Sequence, residues 1–348
     1  MFRRMMKTKV RKTYNRLIQV GILVLTFVFI YRQVFEKSDM AKVWTVIRER
    51  WDAASFADTV LVIIGLMLVN WGIESAKWRY LIGKIEKIGF FKSFYAVLTG
   101  VAISSFTPNR VGEFFGRVFV LDKASRVEGT LITILGSMSQ LLITLLTGSV
   151  AFLIFIPLWP GPHSFITGYL YDIVVVLVVA LDLLLVGLFL NISFLNNLKE
   201  RIFSGRLRKV RKFFRVFAFY RRKELLNVLG MSLIRYIVFA SQFYLLLRLF
   251  AVSMPYPEAI MIISLIYLVM AIIPTVMITE LGIRGSVSLY FFGIYFGTGA
   301  VNTEAVNFGV FAASSLLWII NVGIPALTGS LFVFRLHFFR KSILKPTV

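Results

Sequence analysis

The amino-acid sequence predicts an all-α polytopic membrane protein with about six full transmembrane helices and two re-entrant helical hairpins in an inverted-repeat-like arrangement. Three observations predict it. Hydrophobic residues make up 58% of 348 and mean hydropathy is +0.81, above the roughly half-apolar make-up of soluble domains. Lys and Arg gather in short segments between apolar runs, as the positive-inside rule requires. Two apolar stretches are interrupted by proline, glycine and charge, at 107–117 and 274–284. Broken backbone at membrane depth survives only where protein or a watery cavity satisfies its polar groups, and ionisable residues there mark functional sites.

The elements follow in order. Residues 1–16 carry Arg3, Arg4, Lys7, Lys9, Arg11, Lys12 and Arg16 without an acid, so the N-terminus is expected in the cytoplasm. The apolar run 17–31 is followed by no small-residue cleavage pattern and reads as an uncleaved first span. Residues 36–56, of mixed charge with Trp44 and Trp51, suit an amphipathic helix on the outer interface. The second span, 58–74, leads to an inner loop with Lys77, Arg79, Lys84, Lys87 and Lys92. Residues 93–106 and 111–121 are too short to cross ~30 Å of hydrocarbon, so with the Pro108 break they read as a hairpin opening inward. Spans at 129–156 and 169–195 enclose an outer loop, 157–168, free of Lys and Arg. Eleven basic residues from Lys199 to Lys223, interleaved with Phe203, Leu207, Val210, Phe214 and Phe217, predict a basic amphipathic helix on the inner leaflet. A span at 225–250, a second hairpin (258–273 and 283–297) opening outward, and a last span at 305–334 lead to a cytoplasmic tail, 335–348. The whole chain, 1–348, reads as one transmembrane domain; eight simple spans would put the Arg110 region outside and strain the charge rule.

The net charge of +22 is membrane topology, and no nucleic acid is expected as a partner. No cysteine occurs, the two histidines are far apart, and no HExxH, GxSxG or P-loop is present. No metal, cofactor or catalytic residue is therefore expected. The candidate binding residues lie at the breaks. A helix restarting near Val111 would offer free N–H groups to an anion, with Asn109, Arg110, Gly112, Glu113 and Arg117 around it and Arg117 two turns along the face of Arg110. Gly112 and Gly116 would let backbones approach. Glu280, Gly282 and Arg284 repeat the chemistry, with Gly282 at a tight turn and Glu280 and Arg284 able to pair at i,i+4. Each Arg–Glu set reads either as a phosphate site or as an internal pair pinning its hairpin. Thr133, Ser137, Gln140 and Thr144 share a face and line a polar path or bond between helices. Asp182 is an isolated mid-span acid with Arg235 as its partner by depth, or a proton-coupling group. Asn70, Glu74, Asn321 and Gln242 are expected to be structural.

At Pro108-Asn109-Arg110-Val111-Gly112-Glu113 with Arg117, and at Pro274 through Glu280-Leu281-Gly282-Ile283-Arg284, the chain resembles the lysylphosphatidylglycerol synthase transmembrane (flippase-like) family over roughly residues 15–335. Where that family often has a glutamate after Gly-x-Arg, this chain has Gly285. The resemblance implies a stand-alone module that moves lipids across the cytoplasmic (inner) membrane. It lacks the soluble aminoacyl-transfer domain, so aminoacyl transfer is not expected. The reading is a translocase that binds a phosphate-bearing headgroup between the hairpins, with membrane lipids and a lipid-modifying enzyme as partners. A membrane-embedded transferase using Glu113, and a scaffold acting through 199–223, are the alternatives.

Overall fold

The structure, a computed structural model, describes residues 2–35, 38–50, 54–105, 107, 110–158, 168–192, 213–275, 277–297 and 303–335. Pro108 and Asn109, Trp51, residues 199–212 of the expected basic helix, 159–167 of the outer loop with His163, and the tail from 336 lie outside the described residues.

All described elements are helical. In chain order they are α1 (Phe2–Phe35), α2 (Ser38–Arg50), α3 (Ala54–Ile82), α4 (Phe90–Ser104), α5 (Val111–Val118), α6 (Arg126–Leu158) and α7 (Tyr169–Leu190). A 3-10 segment (Phe213–Phe219) precedes α8 (Arg222–Leu249), α9 (Tyr256–Ile272), α10 (Met277–Phe296) and α11 (Thr303–Trp318). A π-wound turn (Ile319–Gly323) joins α11 to α12 (Ile324–Phe332). The stretches α3, α6, α7, α8 and the joined α11–α12 are long and apolar enough to cross a membrane. α4 and α9 are apolar but shorter.

The bundle is built on pairs: α8 on α3, α9 on α6, α12 on α4, α10 on α11, and α5 on α4. Small residues set how close the pairs come, as expected where lipid removes the hydrophobic drive between helices. A Cβ at Gly116 would lie 2.7 Å from the Cα of Gly100, and one at Gly112 would lie 2.7 Å from the carbonyl oxygen of Ile103. Pairing 116 with 100 and 112 with 103 makes α4 and α5 an antiparallel hairpin whose backbones touch. Polar bonds tie the rest. Trp78 Nε1 donates to Thr133 Oγ1 at 3.0 Å, Gln242 to the Ile63 carbonyl at 2.9 Å, and Tyr220 to the Leu81 carbonyl at 2.8 Å. Thus Thr133 serves interhelical bonding.

One end of the bundle gathers the basic loops. Lys84 pairs with Glu224, and Lys92 pairs with Asp122 at 2.6 Å. Glu86 accepts the backbone N–H groups of Asp122 (3.1 Å), Lys123 (2.8 Å) and Ala124 (2.8 Å). Burial alone would raise the Glu86 pKa, but these three donors and Lys92 outweigh it and hold the carboxyl below its ordinary value. A depressed carboxylate stabilises the fold above its unfolded pKa, and that contribution is lost as pH falls through the folded value. The thermal midpoint of the detergent-solubilised protein should therefore decline below about pH 5. Glu86→Gln should cost about 1–2 kcal/mol at pH 7 and flatten that decline. An unchanged acid limb in the variant would refute the role.

Candidate functional site

The two interrupted stretches meet. Pro274 and Thr275 follow α9, and α10 begins three residues after Pro274 at Met277. Glu280 and Arg284 then stand one turn apart on α10, and Arg284 Nη2 donates to Glu280 Oε1 at 2.7 Å. On the other stretch, α5 starts at Val111 with Thr107 Oγ1 capping the Gly112 N–H at 2.7 Å. Arg110, the residue before α5, adopts a left-handed conformation (φ 56°, ψ 26°), which is uncommon outside glycine and costs on the order of 1 kcal/mol. That geometry throws its guanidinium across to α10, where Nη2 donates to Glu280 Oε1 at 3.0 Å and Oε2 at 2.8 Å. One carboxylate thus holds two arginines from opposite ends of the sequence.

A cavity of about 630 Å³ opens beside this cluster. Arg110, Glu280 and Arg284 line it together with Asn70, Trp71, Gln140, Thr144 and Arg235. Tyr267, Phe239 and Trp318 supply aromatic walls. Gln140 and Thr144 lie midway along α6, and Arg235 lies midway along α8, so the cavity sits near the middle of both long helices. Several of its polar groups are donors without a hydrogen-bond acceptor among the described residues. Arg284 is 7% exposed, yet its Nε and Nη1 have no hydrogen-bond partner among the described residues. Arg235 Nε, Trp71 Nε1 and the Tyr267 hydroxyl are buried and unpartnered too. Buried donors of this kind cost roughly 1–3 kcal/mol each unless something accepts from them.

A second charge cluster adjoins the first. Glu74 on α3 accepts from Arg117 Nη1 at 2.8 Å and pairs with Lys77 at 2.8 Å and Arg235 at 3.2 Å. Arg117 also bonds Glu113 one turn back. Arg235 is the link: it reaches Glu74 on one side, donates to Gln140 Oε1 at 3.2 Å on the other, and lies over the Trp71 ring at 5.3 Å. Among the described residues, the carboxylates paired with Lys77, Arg110, Arg117, Arg235 and Arg284 are Glu74, Glu113 and Glu280, so positive charge is left over.

Several expectations from the sequence need correction. Arg117 and Glu113 do not line the cavity with Arg110; Arg117 is 2% exposed between two carboxylates. Arg110 precedes the helix in a left-handed conformation, so helical spacing does not carry its face to Arg117. Gly282 makes no tight turn, because α10 already runs through it, and a Cβ there would meet nothing within 4 Å. Gly112 approaches Ile103 rather than the cavity. Asp182 does not pair with Arg235: it accepts from Ser149 at 3.2 Å on α6, while Arg235 points to Glu74 and Gln140. Of the polar face on α6, Gln140 and Thr144 reach the cavity, and Thr133 and Ser137 do not. Glu74 and Asn70, read as structural, belong to the site's surroundings, and Asn70 Nδ2 donates to Asn321 Oδ1 at 3.1 Å beside the π-wound turn. Lys77, expected in an inner loop, is buried on α3 one turn after Glu74, and the sequence signal for Glu74 was its place at the end of an apolar span.

The profile of the Lysylphosphatidylglycerol synthase TM region family matches residues 16–324. The chain belongs to that family. No curated protein and no solved structure matches it. The match takes in both interrupted stretches, so the Arg110–Glu280–Arg284 cluster is contained within the lysylphosphatidylglycerol synthase TM region itself. The family and the apolar helices together make this a multi-pass membrane protein.

Proposed function

We propose that this member of the lysylphosphatidylglycerol synthase TM region family is a lipid translocase that admits a phosphate-bearing headgroup to the cavity between Arg110, Arg284 and Arg235. One observation carries the reading: a mid-bundle cavity lined by buried donors without acceptors, on arginines that outnumber their carboxylates. Phosphate supplies what is missing, namely several strong acceptor oxygens and negative charge in a geometry that suits a guanidinium fork. The carboxylates leave no counterpart for a headgroup amine, since Glu280 is held by two arginines and Glu74 by three cations.

The topology that goes with this function has two hairpins dipping from opposite faces. At about 1.5 Å per residue α4 rises about 22 Å and α5 about 12 Å, short of ~30 Å of hydrocarbon. Both breaks lie beside the middle of α6, as discontinuous helices at a midplane site do in transporters. The end that gathers Lys84, Lys92, Arg221 and Arg222 is the cytoplasmic one by the positive-inside rule, which suits both termini inside and an inner membrane. Alternate exposure of the cavity by movement of the hairpins would carry the headgroup across. A transferase would need a free base, and Glu113, the candidate, is engaged by Arg117 away from the cavity.

The test is leaflet movement of fluorescent phosphatidylglycerol in vesicles reconstituted with the full chain. Arg284→Ala and Arg110→Ala should each slow movement at least about tenfold, the worth of a charge-assisted bond to phosphate. Movement at the wild-type rate in both variants, or a new covalent lipid product from the protein alone, would overturn the proposal.

A further inference from the structure

A larger cavity, about 1190 Å³, runs between α6 and α7 on the flank of the bundle. Its walls are apolar along most of their length, from Met138 to Leu145 on α6 and from Leu183 to Leu190 on α7. Its polar lining residues, Asn191, Tyr220, Arg221 and Arg222, gather at one mouth. α7 is the most apolar long helix and has Phe189 as its only fully buried residue, so the groove faces the bilayer with Leu184 57% exposed.

From this we infer that the groove is a second lipid site, which holds the acyl chain of an anionic phospholipid whose phosphate rests on Arg221 and Arg222. Three features commit it to that occupant. Its volume exceeds the roughly 300–1,000 Å³ of pockets for compact small molecules, so a long apolar ligand fits it. Its polar mouth is cationic and oriented: Arg222 Nη2 donates to Asn191 Oδ1 at 2.6 Å, and Asn191 Nδ2 donates to the Gly187 carbonyl at 2.7 Å. The nearby carboxylate, Glu224, accepts from Lys84 and from the Arg221 N–H at 2.9 Å, and no carboxylate among the described residues forms a salt bridge with either guanidinium. Finally, this mouth lies at the end of the bundle where the basic loops collect, the level at which phospholipid phosphates lie in an anionic leaflet. Leu141 belongs to both this groove and the polar cavity, so a lipid in the groove lies one side chain from the site around Arg235. The binding claim stands apart from the translocase reading.

Native mass spectrometry of the purified full chain, titrated with dioleoylphosphatidylglycerol or dioleoylphosphatidylcholine, tests the claim. Leu184→Trp, which fills the groove, and the double change Arg221→Gln with Arg222→Gln should each weaken retention of one phosphatidylglycerol per chain about tenfold. Arg284→Ala should leave that lipid in place. Equal retention of phosphatidylcholine, or wild-type retention by both groove variants, overturns the site. A wild-type dimer that Leu184→Trp converts to a monomer without changing the lipid count also overturns it, because a second copy then covers the groove. Loss of leaflet movement in Arg284→Ala with the groove lipid retained would separate this site from the polar cavity.

Discussion

Glu74→Gln is expected to cost about 3–5 kcal/mol of stability, the range for stripping the partner from a buried ion pair. The side chain is nearly isosteric, so the loss comes from charge and not from a void. Glu74 is 3% exposed and is the common partner of Lys77 at 2.8 Å, Arg117 at 2.8 Å and Arg235 at 3.2 Å. Lys77 and Arg117 are 1% and 2% exposed, so water cannot replace the carboxylate. Arg117 keeps Glu113, and Lys77 keeps only a neutral contact, its bond to Ser232 Oγ at 3.3 Å. A drop of roughly 10 °C in the thermal midpoint of the detergent-solubilised protein is the expected reading. Lys77→Met added to Glu74→Gln should recover a large part of it, because removing both charges leaves fewer buried ions than removing one. A loss below about 1 kcal/mol, or a double variant in which the losses simply add, would show that the cluster is hydrated and not a closed network.

The contrast between what could be read from the chain and what could not has a physical pattern. Helical membrane character was legible because lipid imposes length and polarity on a span, and the Pro274 and Thr107–Gly112 interruptions break that rule visibly; the count was not, since six full spans were expected and five described stretches are long and apolar enough, with Arg16–Val28 shorter. Local pairs were legible too: Glu280 and Arg284 stand at i,i+4, and Arg284 does donate to Glu280. Pairs across the fold were not. Arg110 and Glu280 are 170 positions apart, and Arg117 and Glu74 are 43 apart, so no periodicity connects them. For Asp182 the chain supplies depth but no azimuth, and α7 turns it to Ser149 instead of Arg235. Trp71 and Tyr267 were indistinguishable from the many aromatic residues that face lipid, because their burial beside an arginine is a tertiary fact.

Glu280→Gln is expected to tighten the polar cavity's hold on an anionic headgroup about tenfold or more. In the structure the Glu280 carboxylate occupies Arg110 Nη2 at 2.8–3.0 Å and Arg284 Nη2 at 2.7 Å, the donors a phosphate would use. A phosphate therefore competes with a fixed internal anion, and unit charges about 4 Å apart repel by some 4 kcal/mol at an effective dielectric of 20. Glutamine keeps the acceptor oxygen and removes that repulsion. The folding cost should be smaller than for Glu74, since the Arg110 side chain is 39% exposed and can hydrate, and Arg284 lies 5.9 Å from the Tyr267 ring. Binding of dioleoylphosphatidylglycerol is best compared in a Leu184→Trp background, so that the groove lipid is not counted. On the proposed translocase reading, leaflet movement should slow in the same variant, because a carboxylate that re-engages the arginines would expel the headgroup, and tighter ground-state binding without faster release lowers turnover. If affinity falls together with stability, Glu280 is a clamp that shapes the arginines and not a competitor for them. The cavity would then have to recruit its anion through Arg235 and Trp71, which also line it.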